Sequence, residues 1–214
     1  MERFIIEGGI PLNGTVTPSG NKNAALPIVA ASLLTDRPVT LHNLPNIGDV
    51  RTMLALLEDL GATVQWHENH SVTIQASRIC STCPDPEMFS QIRGSLTLLG
   101  PMLGRAGRIT LTLPGGDRIG RRRLDTHILA LGALGATVEH TDRLELRAKT
   151  LHGADIWLDE ASVTGTENAI MAACLAKGET VIRNAASEPH VQELCHFLNA
   201  LGAQIQGIGS NVVR

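Results

Sequence analysis

The 214-residue chain is 43% hydrophobic and 18% charged with a formal net charge of -3, so it can build one large domain or two small ones around an ordinary apolar core. That charge balance excludes a general nucleic-acid binder, and 2% aromatic residues with no tyrosine remove the stacking platforms of single-strand RNA or DNA readers. The sequence has no apolar run of membrane-spanning length, and its opening MERFIIEGG lacks the features of a secretory leader, so it predicts a cytoplasmic protein with no membrane partner.

Residues 1–20 stand outside any pattern, and behind them the chain predicts three copies of one unit. The first begins with NKNAALPIVAASLL, which is apolar nearly all round and therefore reads as a helix buried on every side. The alternating strand PVTLHNLP follows. Then comes DVRTMLALLEDLGATV, where Val50, Met53, Leu54, Leu57 and Leu60 recur at helical spacing. The strands ATVQWHE and 71–77 close the unit. Cys80 and Cys83 in RICSTCPDP make one CxxC with neither a second pair nor a close histidine pair, so the sequence predicts reduced thiols and no metal.

The second unit repeats the order, with the buried helix FSQIRGSLTLLGPML, the strand and loop RITLTLPGG, the helix LDTHILALGALGATV, and strands at ATVEHT and 144–151. A strand at 154–159 leads to the third unit, with the buried helix TGTENAIMAACLA, the strand ETVIRNAA, the amphipathic helix HVQELCHFLNALGAQI and the strand AQIQGI. All three amphipathic helices end in Leu-Gly-Ala. Gly61, Gly135 and Gly202 then fall where a left-handed cap is wanted, a conformation that costs glycine nothing. The prediction is one α/β domain with three buried helices inside and with sheets and amphipathic helices around them.

Polar residues stand at matching places at the start of the buried helices: Lys22 and Asn23, then Arg93, then Glu167 and Asn168. A helix start exposes unpaired N–H groups and a partial positive charge, so a cation there costs stability unless an anion shares the site. Lys22 and Arg93 either hold a phosphate or carboxylate or extend along their apolar stems to solvent. The stretch LPGGDRIGRRRLDTHI, residues 113–128, sets Arg118, Arg121, Arg122 and Arg123 beside Gly115, Gly116 and Asp117. The glycines allow a tight turn and arginine forks suit phosphate oxygens, but the cluster reads equally well as an exposed patch neutralised by Asp117 and Asp125. His127 fits a packing role better than that of a catalytic base.

The blocks PLNGTVTPSGNKNAALPIVAASLL, IRGSLTLLGPMLGR, LPGGDRIGRRRLDTHILALGALGA, SVTGTENAIMAA and NAASEPHVQELCHFLNALGAQIQGIGSN cover essentially the whole chain. In order, they resemble the UDP-N-acetylglucosamine 1-carboxyvinyltransferase family. The shikimate-pathway enolpyruvyl transferases share the repeat architecture without the NKNAALP block and are the more distant likeness. The resemblance implies an enolpyruvyl-transferase-like inside-out α/β barrel domain, built from three βαβαββ-type repeats with buried central helices. It also implies transfer of the enolpyruvyl group of phosphoenolpyruvate to the 3′-hydroxyl of UDP-N-acetylglucosamine with loss of phosphate, without metal or cofactor, as the first committed step of peptidoglycan synthesis.

Carried over by position, the resemblance makes Lys22 the phosphoenolpyruvate-binding lysine and Asn23 its neighbour on the substrates. Arg93 and Arg122 match substrate-binding arginines, and the block Arg122, Arg123, Leu124, Asp125 and Thr126 matches the stretch that holds the uridine nucleotide. Ser162, Val163 and Thr164 match a second such stretch, and Glu188 an acidic residue at the site's edge. Asp117 stands where the family's general acid is most often cysteine. An aspartate starts near pKa ~3.9, so its environment or Lys22 must keep a proton available.

Three local departures accompany these matches: Arg123 replaces a usual proline, Glu160 stands where some members place a lysine, and Arg118 and Arg121 make the loop around Asp117 more basic than the resemblance implies. Family members are also about twice this length and hold their substrates between two domains. The resemblance therefore assigns residues 1–21 to a segment that packs with a second domain, residues 22–214 to the three-repeat domain (about 22–77, 89–151 and 163–214), and the second domain to sequence absent here. The missing domain or self-association is the expected macromolecular partner. A catalytically incomplete fragment that only binds nucleotide or phosphate is the competing expectation.

Overall fold

The computed structural model describes residues 3–68, 70–112, 123–140 and 143–214. Helix α1, Lys22–Ala31, starts at Asn21, whose side-chain oxygen accepts from the Asn23 and Ala24 amides and so satisfies two donors that a first turn leaves open. A 3-10 turn at Ser32–Leu34, β1 at Val39–Leu41, α2 at Gly48–Asp59, β2 at Thr63–His67 and β3 at Ser71–Gln75 follow. Next come α3, Pro86–Gln91, a 3-10 helix, Arg93–Leu98, α4, Leu99–Ala106, and β4, Arg108–Leu111. Beyond them lie α5, Asp125–Ala133, β5, Thr137–His140, and β6, Leu144–Arg147. The last elements are β7, Asp155–Trp157, α6, Val163–Ala173, β8, Val181–Arg183, α7, Pro189–Ala200, and β9, Val212–Val213.

The fold is α/β, with three small sheets ordered β1-β3-β2, β4-β6-β5 and β7-β8-β9. The first two are antiparallel throughout, whereas β7 runs parallel to β8 in the third. Helices α1, α4 and α6 form the interior: Val29, Ala30, Leu99, Met102, Ala169 and Met171 are essentially inaccessible. Helices α2 and α7 turn one apolar face inward, whereas α5 departs from the expected amphipathic pattern, burying Thr126 and His127 and leaving Leu129 exposed. Gly61, Gly135 and Gly202 carry φ of 108°, 100° and 110° at their C-terminal ends, where a β-carbon would be strained. Among the described residues no helix is long and apolar enough to cross a membrane.

Three further details depart from the sequence expectations. The second buried helix is not one cylinder: a 3-10 helix over Arg93–Leu98 joins α4 at Leu99, with Gly100 and Pro101 in the first turn. Proline lacks an N–H, and a first turn is where that loss is tolerated. The expected strand AQIQGI does not form: Gln206 and Arg214 exchange one reciprocal pair of backbone bonds of 2.8 and 3.0 Å, and no ladder extends from it. Glu167 and Asn168 lie in the second turn of α6, since the helix already begins at Val163 behind the Ser162 cap.

Candidate active site

The N-terminal ends of α1, α2, α5, α6 and α7, together with the start of the 3-10 helix, open onto one cavity of ≈670 Å³. Each helix start contributes unpaired amides and a fraction of a positive charge, so their convergence favours an anion. Lys22 and Asn23 come from α1, Arg93 from the 3-10 helix, Arg123 from the approach to α5, and Ser162, Val163 and Thr164 from the start of α6. Glu188, the residue before α7, completes the rim. The structure thus brings together side chains more than 160 positions apart in sequence.

The other expected residues are placed differently. Leu124, Asp125 and Thr126 do not line the cavity: Asp125 pairs with Arg123, and the buried Thr126 hydroxyl donates to Asp159 Oδ1 at 2.6 Å. These bonds tie Asp125 and Thr126, in the first turn of α5, to Arg123 and Asp159. Asp117 and Arg122, with Gly115, Gly116, Arg118 and Arg121, lie outside the described residues.

Two of the site's described cations, Lys22 and Arg123, are already paired with carboxylates. Lys22 Nζ lies 2.8 Å from Asp49 Oδ2 on the facing start of α2, with both side chains partly open to solvent. An exposed pair of this kind adds at most about 1 kcal/mol to stability, so Lys22 can exchange Asp49 for a ligand oxygen at small cost. The Arg93 guanidinium donates from Nη2 to the Arg123 carbonyl at 3.5 Å. Arg123 Nε bonds Asp125, and that carboxylate holds the guanidinium pKa above its ordinary value.

Two buried polar groups line the cavity floor beneath these cations. His127 is 2% exposed; its Nε2 shares a 3.0 Å hydrogen bond with Thr164 Oγ1, while Nδ1 meets no partner. Burial, aided by the positive charge of Arg93, pushes its pKa down to about 4, so the ring is neutral at pH 7. Glu167 is 1% exposed and its Oε1 is likewise without a partner. Burial, aided by the charge of Glu188, pushes this carboxyl up to about 8.

Sequence reasoning singled out His127 and Glu167 without assigning either to the site, and it missed Asp49, Gln91, Thr97 and His190, which also line the cavity. Asp49 is the instructive omission. As the acidic residue in the first turn of α2 it looks like ordinary helix stabilisation, and only tertiary packing sets it opposite Lys22. Among the described residues, no three His, Cys, Asp or Glu side chains group so that they could hold a metal ion. A second cavity of ≈570 Å³ lies at the opposite end of α6, against β8 and residues 203–206, with Arg214 as its one basic side chain.

Residues 6–213 match the family described as EPSP synthase (3-phosphoshikimate 1-carboxyvinyltransferase). The UDP-N-acetylglucosamine 1-carboxyvinyltransferase of Bradyrhizobium diazoefficiens is 56% identical over 211 residues, which is 99% of this chain and 49% of that protein. The protein of the same name from Treponema denticola is 52% identical over 213 residues, 100% of this chain and 50% of its own. Among solved structures, the enolpyruvyl transferase NikO from Streptomyces tendae superposes with a TM-score of 0.82 at 25% identity, covering 96% of this chain and 48% of that one. EPSP synthase from Acinetobacter baumannii, at 19% identity and a TM-score of 0.72, covers 94% of this chain and 46% of its own, and shares the fold. The chain spans about half the length of the curated relatives it matches.

Proposed function

Because the chain belongs to the EPSP synthase (3-phosphoshikimate 1-carboxyvinyltransferase) family, we propose that it forms one wall of a UDP-N-acetylglucosamine 1-carboxyvinyltransferase site. The reaction moves the enolpyruvyl group of phosphoenolpyruvate to the sugar 3′-hydroxyl. Carbon 3 of phosphoenolpyruvate gains a proton, the hydroxyl oxygen bonds carbon 2 as its own proton leaves to a base, and the adduct then loses a proton from carbon 3 and expels phosphate. Lys22, Asn23 and Arg93 receive the anionic groups of phosphoenolpyruvate and the sugar nucleotide. Arg122, Arg123 and Ser162 to Thr164 hold the nucleotide, with Leu124, Asp125 and Thr126 positioning that stretch from behind, Glu188 borders the site, and Asp117 is the general acid. In this reading the product enters peptidoglycan synthesis, and the protein works in the cytoplasm.

The supporting observation is the convergence of Lys22, Arg93, Arg123 and the helix starts on one cavity, which stabilises negative charge developing on the substrates. The base that takes the hydroxyl proton and the remaining phosphoenolpyruvate contacts belong, in this reading, to a second domain in the half of the relatives' length that this chain does not span. Phe4, Ile5, Ile6, Ile10, Leu12 and Val16, all at least 77% exposed, would pack with that domain.

Isothermal titration of the folded chain with each substrate, alongside an assay of phosphate release, tests the reading. UDP-N-acetylglucosamine and phosphoenolpyruvate should bind, while sugar-dependent phosphate release by this chain alone should be slight. Failure of a folded chain to bind either ligand would overturn the proposal. In the same titration Lys22→Met should weaken phosphoenolpyruvate binding about 5- to 30-fold, the loss of one partly solvated charge-assisted hydrogen bond. Unchanged affinity would mean that Lys22 serves only Asp49.

A further inference from the structure

Among the described residues, Glu167 is the one carboxyl of the cavity lining that is withdrawn from solvent. Its neighbours Asp49, Glu160 and Glu188 sit at the rim, and Lys22, Arg93 and Arg123 supply the cations. Among the described residues three cations thus accompany three rim carboxylates, and the fourth carboxyl adds a further negative charge if it ionises. It stands in the second turn of α6, away from any capping position, with Oε1 unbonded and 1% of its surface exposed. Leaving such an atom unpaired costs about 1–3 kcal/mol, a penalty that a ligand reaching the cavity floor would relieve.

We propose that Glu167 is a ligand-binding residue that acts as an uncharged carboxyl, donating its O–H to a phosphate or carboxylate oxygen of the bound ligand. The inference deepens the function proposed above and rests on it. An ionised Glu167 would present like charge and no donor, so the proton on this carboxyl is a condition for anion binding. Among the described residues, no element delivers a hydrogen-bond partner to Glu167 Oε1. From α7, Glu188 repels it, while Cys195 beneath is an apolar neighbour whose thiol burial pushes up to about 12. From α5, His127 bonds Thr164 through Nε2 while its Nδ1, like Glu167 Oε1, has no hydrogen-bond partner; His190 of α7 lies at the rim with Glu188.

The expected signature is a pH dependence that belongs to one residue. With the free carboxyl titrating at about 8, the protonated fraction falls about tenfold between pH 7 and pH 9, and affinity for phosphoenolpyruvate should fall with it. Glu167→Gln keeps the shape and an N–H donor but cannot ionise, so its affinity should change less than about threefold over the same range once a bond of this kind is kept. Subtracting the two profiles removes every other titration in the site and that of the ligand.

Calorimetry with phosphoenolpyruvate from pH 7 to pH 9 on both chains is the test, with circular dichroism to confirm the fold. Parallel pH profiles would overturn the assignment while leaving the proposed function standing. No binding by either chain at any pH would overturn both. Carbon-13 NMR of the Glu167 carboxyl, identified by its loss in Glu167→Gln, decides independently of any ligand. Titration in the usual carboxylate range would overturn the inference, and titration near 8 that moves upward when phosphoenolpyruvate is added would establish it.

Discussion

Replacing Asn168 with leucine is expected to destabilise the chain by about 3–5 kcal/mol and to lower its melting temperature by about 10 °C. Asn168 is fully buried in α6, and its Oδ1 accepts from the Gly100 amide at 2.7 Å while Nδ2 donates to the Leu96 and Thr164 carbonyls, each at 3.0 Å. Gly100 lies in the first turn of α4 and Leu96 near the end of the 3-10 helix before it. One side chain therefore satisfies the open Gly100 amide and adds a donor to the Leu96 carbonyl, which also accepts from the Leu99 amide, a capping task done from a neighbouring helix. Leucine fills the volume but leaves the buried Gly100 donor without that partner and removes two hydrogen bonds to backbone carbonyls.

The packing at that joint leaves no room for compensation. A β-carbon at Gly100 would sit 2.5 Å from the Asn168 carbonyl oxygen, so α4 and α6 touch backbone to backbone. Urea unfolding of Asn168→Leu measures the effect, and a loss below about 1 kcal/mol would show that packing alone holds the joint. Since α6 also presents Ser162 to Thr164 and Glu167, a loosened joint should weaken ligand binding along with stability.

That joint shows where sequence legibility ends. FSQIRGSLTLLGPML reads as one apolar helix because periodicity registers burial and not the hydrogen-bond pattern. Pro101 marked the restart, since its ring suits a first turn. Yet Pro27 occupies the middle of α1 without ending it, so the residue type could not decide between the two outcomes. The Leu-Gly-Ala helix ends were legible for the opposite reason: a left-handed cap is a local demand that glycine alone meets cheaply, and all three glycines adopt it.

The site divides along the same line. Lys22 and Arg93 stand out because a helix start is a local feature with a known charge, whereas Ser162 was reached only through the family resemblance. Leu124, Asp125 and Thr126 share a contiguous block with Arg123, but contiguity does not say which way a side chain faces, and Thr126 turns to Asp159. Glu167 and His127 occupy positions that periodicity assigns to the interior. Only the meeting of helix starts from all three units makes that interior the floor of a cavity.

These two floor residues give the second large expected effect, a pH dependence of stability in which opposing slopes meet. His127 has a folded pKa of about 4 against an ordinary 6.5, so the unfolded chain binds the extra proton between those values. Its contribution is present above pH 6.5 and is lost as pH falls through 4, by about 3 kcal/mol in all. Glu167 behaves in the reverse sense. Its folded pKa of about 8 lies above the ordinary 4.5, so the folded chain holds the extra proton, and stability is fully present below 4.5 and lost as pH rises through 8.

Between pH 4.5 and 6.5 the two contributions offset each other, and the native chain should show a shallow profile there, with stability falling from pH 6.5 to 8. Each substitution exposes the other slope. In Glu167→Gln stability should rise with pH across the acid window, and in His127→Gln it should fall with pH from 4.5 to 8. Urea unfolding of the three proteins at half-unit pH intervals measures this directly, and profiles that stay parallel would show that neither group is held in its uncharged form by the fold. The opposition follows from composition: a base and an acid buried on one cavity floor are both kept neutral, so neither end of the pH range can be reached without charging one of them.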